Sequence, residues 1–152
     1  MDRVWVFYAV QVAASGYALF RGGAPERLTG LALLLAAVST GLIQRHIPVL
    51  FSGLEVGVMI VDLILLAVMI AITLNADRFW PIWVTALHAL GTGAHLARAL
   101  SPDVIRLVYA VLSAAWSYPI VLFLVIGTVR HSRRIQARGW DLDWSRQDRA
   151  IR

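Results

Sequence analysis

Long runs of apolar residues, separated by short polar turns, make up most of this chain. Four of the runs contain no charged residue, and a fifth is interrupted by Asp62. A helix needs about 20 mostly apolar residues to cross the hydrocarbon layer of a membrane, and the runs lack the alternation of membrane-spanning strands. The pattern predicts an all-α polytopic membrane protein, a bundle of about five transmembrane helices near residues 4–20, 28–44, 54–74, 79–99 and 104–129.

The polar residues between the runs suit helix ends. Residues 21–27 and 75–78 contain the glycine, proline, asparagine and aspartate typical of turns. Pro48 ends the second helix, because the residue before a proline is displaced from the helical region. Residues 101–103 supply an N-cap serine, a proline and an acid for the start of the fifth helix. Pro119 lies inside the last run and predicts a kink there.

Composition narrows the class of protein further. Hydrophobic residues make up 59% of the 152 residues, and the mean hydropathy is +0.71. A soluble domain of this length has too little interior to bury that much apolar surface, and a disordered chain would be more polar. The absence of cysteine excludes disulfides, thiolate metal sites and thiol nucleophiles.

The basic residues predict the orientation in the membrane. All 14 are arginine, and half of them lie in residues 130–152. Cytoplasmic segments beside membrane spans are enriched in arginine and lysine, so residues 130–152 are predicted to form a basic cytoplasmic tail. Five crossings then place the N-terminus outside an inner or plasma membrane. We prefer this interpretation to nucleic-acid binding, and we expect the first helix to be retained, with cleavage near Ser15 as the alternative.

A few ionisable residues fall inside the predicted spans, where such groups are costly and are candidates for function. Glu55 and Asp62 are seven residues apart and share a face of the third helix, and His88 and His95 share a face of the fourth. Because a short turn joins these helices, Asp62 is at the depth midway between the two histidines, about 5 Å from each along the axis. Glu55 is level with Arg98. The spacing predicts an intramembrane polar network of these five residues.

Several chemistries are open to this network. A structural pairing that fixes how the third and fourth helices meet is the simplest interpretation, and proton or ion movement through Asp62 and a histidine is the second. Two histidines about 10 Å apart on one helix cannot both ligate one ion, so no metal or cofactor site is predicted. A Ser-His-Asp triad could be assembled from Asp62, His88 and either Ser113 or Ser117. Neither serine lies in the strained turn that exposes a serine nucleophile, so no catalytic residue is predicted.

These observations predict a small multi-pass protein without catalytic activity. It acts as an accessory or scaffold component that packs with a membrane-protein partner or with copies of itself. The alternative is a proton-coupled transporter or channel subunit that uses Asp62, His88, His95 and Glu55. The lipid bilayer is predicted to surround the protein, and no binding of nucleic acid is predicted. Three roles are open to the tail. The simplest is that it only sets the orientation in the membrane. Alternatively, Trp140 and Trp144 lie in the membrane interface, or the tail docks a soluble partner.

Overall fold

The computed structural model describes residues 2–46, 51–100 and 116–145. Within these ranges, the side chains of residues 2–4, 45–46, 51–55 and 98–100 lie outside the description. The described chain forms five helices and no strand, which confirms the all-α prediction. The helices are α1 (Asp2–Arg21), α2 (Ala24–His46), α3 (Phe51–Asn75), α4 (Trp80–Leu100) and α5 (Ser117–Arg138).

The five helices form a closed ring. Each helix packs against the next one along the chain, α5 also packs against α1, and α2 contacts α5 across the ring. Short turns make α1 antiparallel to α2 and α3 antiparallel to α4. The contacts Phe7–Tyr118 and Arg21–Ser132 make α5 parallel to α1, so α1, α3 and α5 end where α2 and α4 begin. We call this the tail-proximal end, because residues 139–145 follow α5 there, and we call the opposite end the distal end.

The helices α1, α2 and α3 extend beyond their predicted bounds at both ends. The second helix begins at Ala24 rather than at residue 28, with Pro25 in its first turn, where a proline has no helical hydrogen bond to lose. The fifth runs to Arg138 rather than ending at 129. It ends at Gly139, whose φ of 78° suits glycine and whose N–H donates to the oxygen of Ile135 at 2.8 Å. A helix continues as long as its polar side chains reach solvent, so hydropathy marks only its apolar part.

The predicted start of the fifth helix, residues 104–115, and the predicted cap at residues 101–103 lie outside the described residues. In the described chain α5 begins at Ser117, so Pro119 lies in the first turn of a helix rather than in the middle of one. A proline there removes no helical hydrogen bond. Within the described part of α5, the position of Pro119 therefore does not require a kink.

Two helices in the described ranges contain a segment long and apolar enough to cross a membrane. These segments are Ala24–Gln44 in α2 and Val56–Asn75 in α3. This finding gives weak support to membrane association and does not by itself extend to five crossings. The other helices are more polar: α4 carries two histidines, two threonines and an arginine, and the second half of α5 carries four arginines.

A small apolar core fills the middle of the ring. It is formed by Ala18, Leu33, Leu65, Met69, Trp80, Val84, Ile120 and Leu124, which come from all five helices. Many other large apolar side chains point outward; Phe20, Leu74 and Ile64 are 84%, 76% and 61% exposed. The described bundle is therefore apolar on its outside as well as in its core, and its polar groups are concentrated at two internal places.

Candidate functional site

The first polar place is the Asp62 site, formed by Asp62 of α3 with His88 and His95 of α4. The Oδ2 atom of Asp62 lies 3.3 Å from Nε2 of His95. Nε2 of His88 lies 3.0 Å from the backbone oxygen of Asp62. That oxygen can only accept, so His88 donates from Nε2. The structure thus brings together Asp62, His88 and His95, as the residue spacing and the short turn between the two helices predicted.

Glu55 and Arg98 were predicted to form a second pair of this network. Both residues belong to described helices, α3 and α4, but their side chains lie outside the described part. The pairing of Glu55 with Arg98 stays a prediction.

The Asp62 site lines an internal cavity of about 220 Å³ near the distal end of the ring. All five helices contribute to its wall. Since one water occupies about 30 Å³ of liquid, the cavity has room for a few waters or a small hydrated ion. Besides the Asp62 site, its polar wall consists of Tyr8, Gln11, Thr40, Thr92 and Ser117.

An apolar floor closes this cavity toward the tail-proximal end. Leu33, Leu65 and Ile120 line the cavity and also belong to the core. Below them lie Val84 and Leu124, which are 1% and 0% exposed. These five apolar side chains lie between the Asp62 site and the tail-proximal end of the bundle.

The second polar place is the tail-proximal ion cluster, formed by Glu26, Arg78, His131, Arg134, Asp141 and Asp143. Arg78, in the turn between α3 and α4, is its centre, and its side chain is 4% exposed. Its Nη2 donates to Oδ2 of Asp141 at 2.7 Å, and its Nε lies 3.5 Å from Oε1 of Glu26. A buried guanidinium with carboxylates on two sides ties together elements that are distant in sequence.

Asp141 is held from three directions. Nδ1 of His131 lies 2.6 Å from its Oδ2, and Nε of Arg134 donates to its Oδ1 at 2.9 Å. The third group is Arg78. Asp141 follows α5 and its partners His131 and Arg134 belong to α5, so these contacts fold the chain after Gly139 back toward the bundle.

Glu26 lies at the start of α2 and is fully buried. Its Oε1 accepts a hydrogen bond from Nε1 of Trp80 at 3.1 Å. Trp80 reaches it across Gly127 of α5, where an added Cβ would lie 2.6 Å from the same indole nitrogen. A glycine at this position is therefore required for the close approach of α4 and α5.

Backbone contacts dock the tail as well. The backbone N–H of Asp77 donates to the oxygen of Asp143 at 3.2 Å, and that of Ser145 donates to the oxygen of Asn75 at 2.9 Å. Ala76 and Trp144 form an isolated antiparallel bridge. Residues 139–145 therefore lie along the α3–α4 turn rather than extending away from the bundle.

The sequence reasoning missed this cluster, because it interpreted residues 130–152 as a basic tail. One signal was present: Asp141 and Asp143 alternate with Trp140, Leu142 and Trp144. Alternation of polar and apolar residues is typical of an extended segment with one face against the protein. Three members of the cluster, Glu26, His131 and Asp143, also place one potential metal-binding atom each within 4.8 Å of one another.

A third feature lies on the outside of the ring, in the groove between α2 and α3. Its volume is about 910 Å³. Leu28, Leu35, Ile64 and Val68 are among its apolar lining residues, and Trp144 of the tail borders it. The groove is wide enough for apolar chains, and it carries no titratable side chain.

No protein-family model matches this chain, and no curated protein or solved structure is similar to it. The function is therefore argued from the geometry of the two internal polar places and the outer groove.

Proposed function

We propose that this chain is a small multi-pass membrane protein that works as a proton-exchanging subunit of a larger membrane assembly. The Asp62 site is its working centre. The observation that carries the proposal is the contact between Oδ2 of Asp62 and Nε2 of His95 at 3.3 Å, beside a cavity lined by residues of all five helices.

The surroundings support a membrane location. Apolar side chains cover the outside of every helix, as in a bundle surrounded by lipid. Five helices that cross the bilayer place the arginine-rich residues 130–152 on the cytoplasmic side and the N-terminus outside. The membrane would then be an inner or plasma membrane.

The chemistry of the pair suits proton exchange. An aspartate and an imidazole at hydrogen-bond distance can pass one proton between them, the O–H bond breaking as the N–H bond forms. Asp62 and His95 keep 20% and 21% side-chain exposure, so cavity water can reach them. An ionisable pair at this depth in an apolar helix is typical of proton pathways in membrane proteins.

The apolar floor of the cavity explains why we propose a subunit. Among the described residues, Leu33, Leu65 and Ile120 form an apolar floor between the Asp62 site and the tail-proximal end. Passage through the membrane then requires a change of conformation or a second copy of this chain that supplies the other half of the route.

The test is proton flux into liposomes that contain the purified protein and a trapped pH-sensitive dye. Flux above that of protein-free liposomes is expected, and Asp62→Asn should reduce it to the protein-free rate. Thr73→Val is the matched control, because Thr73 also joins α3 to α4 but cannot titrate. Equal losses in both variants would instead attribute the effect to helix packing and contradict the proposal.

A non-catalytic accessory or scaffold role is the second candidate, and the groove between α2 and α3 favours it. Small residues in the groove, Ala32, Ala36, Ser39 and Ala71, allow a helix of a partner or of another copy to approach closely. In this case the Asp62 site only fixes how α3 and α4 meet. Ala36→Phe should then abolish association of the protein in the membrane, and Asp62→Asn should leave it intact.

Topology has its own test, because the chain contains no cysteine. Single cysteines at Gln44 and Arg138 lie at the distal and tail-proximal ends of the bundle. Membrane-impermeant reagents should label Gln44→Cys from outside the cell and Arg138→Cys only after the membrane is opened. Labelling of both from one side would contradict the proposed arrangement.

A further inference from the structure

The tail-proximal ion cluster contains a buried carboxylate oxygen without a hydrogen-bond partner. Glu26 is 0% exposed, and while its Oε1 accepts from Trp80, its Oε2 has no partner among the described residues. Buried charged oxygens are costly unless something binds them. This oxygen therefore calls for a ligand that supplies positive charge.

The neighbours of Glu26 have the donor atoms of a metal site. An oxygen of Glu26, an oxygen of Asp143 and a ring nitrogen of His131 all lie within 4.8 Å of one another. In a tetrahedral site with metal–ligand distances of about 2.1 Å, ligand atoms are about 3.4 Å apart. Binding would draw the three groups closer together by side-chain rotation.

The protonation of His131 fits a metal ligand. Its Nδ1 lies 2.6 Å from Oδ2 of Asp141 and donates a proton there, since a carboxylate can only accept. Arg78 Nη2, 3.3 Å from the same nitrogen, bonds Asp141 more closely at 2.7 Å. Nε2 of a neutral His131 then carries the lone pair that a metal needs. Metal-binding histidines commonly donate their other N–H to a carboxylate in this way.

The charges of the ion cluster favour the binding of a cation. Glu26, Asp141 and Asp143 carry three negative charges, and Arg78 and Arg134 carry two positive ones. The carboxylates therefore outnumber the guanidiniums by one inside a largely buried group. Asp143, whose side chain is 31% exposed, gives an ion a way in from solvent.

We propose that Glu26, His131 and Asp143 bind a divalent transition-metal ion of the zinc class, which fastens the tail to the bundle. The mixed nitrogen and oxygen donors favour such an ion over magnesium or calcium, which prefer oxygen alone. The three ligands belong to α2, α5 and the tail, so one ion joins three elements. Arg78 and Arg134 hold Asp141, which orients His131 from behind.

The experiment is a calorimetric titration of the full chain in detergent, stripped of metal by a chelator, with zinc chloride. One zinc ion per chain is expected, and magnesium should not compete. Asp143→Asn and His131→Gln should weaken binding by about tenfold or more. Two controls should bind like the unchanged protein: Asp77→Asn, an exposed acid in the adjacent turn, and His88→Gln, which removes a histidine of the Asp62 site.

Proteolysis gives a second readout, which reports the position of the tail. Trypsin cleaves after Arg138, where the tail leaves α5, and zinc should slow this cleavage in the unchanged protein but not in Asp143→Asn. No zinc binding would overturn the proposal, and so would binding that Asp143→Asn and His131→Gln leave intact. Binding lost in His88→Gln would place the ion at the other site and overturn it equally.

Discussion

The two internal polar places of this bundle solve the problem of buried charge in different ways. The Asp62 site is sparse: one carboxylate, two imidazoles and a cavity, with Asp62 still 20% exposed. The tail-proximal ion cluster is dense: three carboxylates and two guanidiniums, with Glu26 at 0%, Arg78 at 4% and Asp141 at 8% side-chain exposure. The few ionisable groups of the Asp62 site lie beside a cavity and can exchange protons with water. The paired carboxylates and guanidiniums of the ion cluster instead hold the helices and the tail in position.

The difference also concerns what each place connects. The Asp62 site joins α3 and α4, which a short turn already holds together. The ion cluster joins α2, the α3–α4 turn and α5 with its tail, which are distant from one another in the sequence. We therefore expect substitutions in the ion cluster to affect stability more than substitutions in the Asp62 site, which should affect activity.

The largest effect is expected for Arg78→Ala. Removing the guanidinium leaves Glu26 and Asp141 buried without their shared partner, and breaking such a pair costs about 3–5 kcal/mol of unfolding free energy. Denaturation in detergent micelles, followed by circular dichroism, measures it. Arg133→Ala is the matched control, because Arg133 is exposed, and should change the value by less than about 0.5 kcal/mol. Similar values for the two variants would show that the cluster does not stabilise the bundle.

A smaller loss is expected for Gly127→Ala. The new Cβ would lie 2.6 Å from Nε1 of Trp80 and push the indole away from Glu26, at a cost of about 1–3 kcal/mol. The melting temperature should fall and the tryptophan emission should change. Gly93→Ala is the control: nothing lies within 4 Å of its Cβ position on an exposed part of α4. That change should be neutral or stabilise by up to about 1 kcal/mol. A fall of equal size in both variants would contradict the steric explanation.

The same contrast explains how much the sequence could predict. The seven-residue spacings of α3 and α4 are local, and a short turn fixes relative depth, so Asp62, His88 and His95 could be placed together. Glu26 and Asp141 are separated by most of the chain, and their shared contact with Arg78 depends on how the whole ring closes. No periodicity contains that information. Helix ends were also missed, since the arginines after residue 129 continue α5 instead of ending it.

A modest loss of stability is expected for Asp62→Asn. Polar contacts between membrane helices contribute about 0.6–2 kcal/mol, and an asparagine keeps one side-chain oxygen that can take the place of Oδ2 beside His95. His88 bonds the backbone oxygen of residue 62, so this contact survives the change. Micelle denaturation measures the loss. A cost as large as that of Arg78→Ala would show that the Asp62 site stabilises the fold as much as the tail-proximal ion cluster does.

The smallest effect is expected for Thr73→Val, in the polar contact of α3 and α4 that lies below the Asp62 site. Thr73 and Thr85 hydroxyls are 2.7 Å apart, and Thr85 also donates to the oxygen of Met69 at 3.2 Å. Since one hydroxyl proton cannot serve both bonds, Thr73 donates to Thr85. Its loss removes one bond, at about 0.6 kcal/mol. Thr85→Val removes both bonds and should cost about twice as much by the same denaturation. Equal costs would show that the bond from Thr85 to the oxygen of Met69 adds no stability of its own.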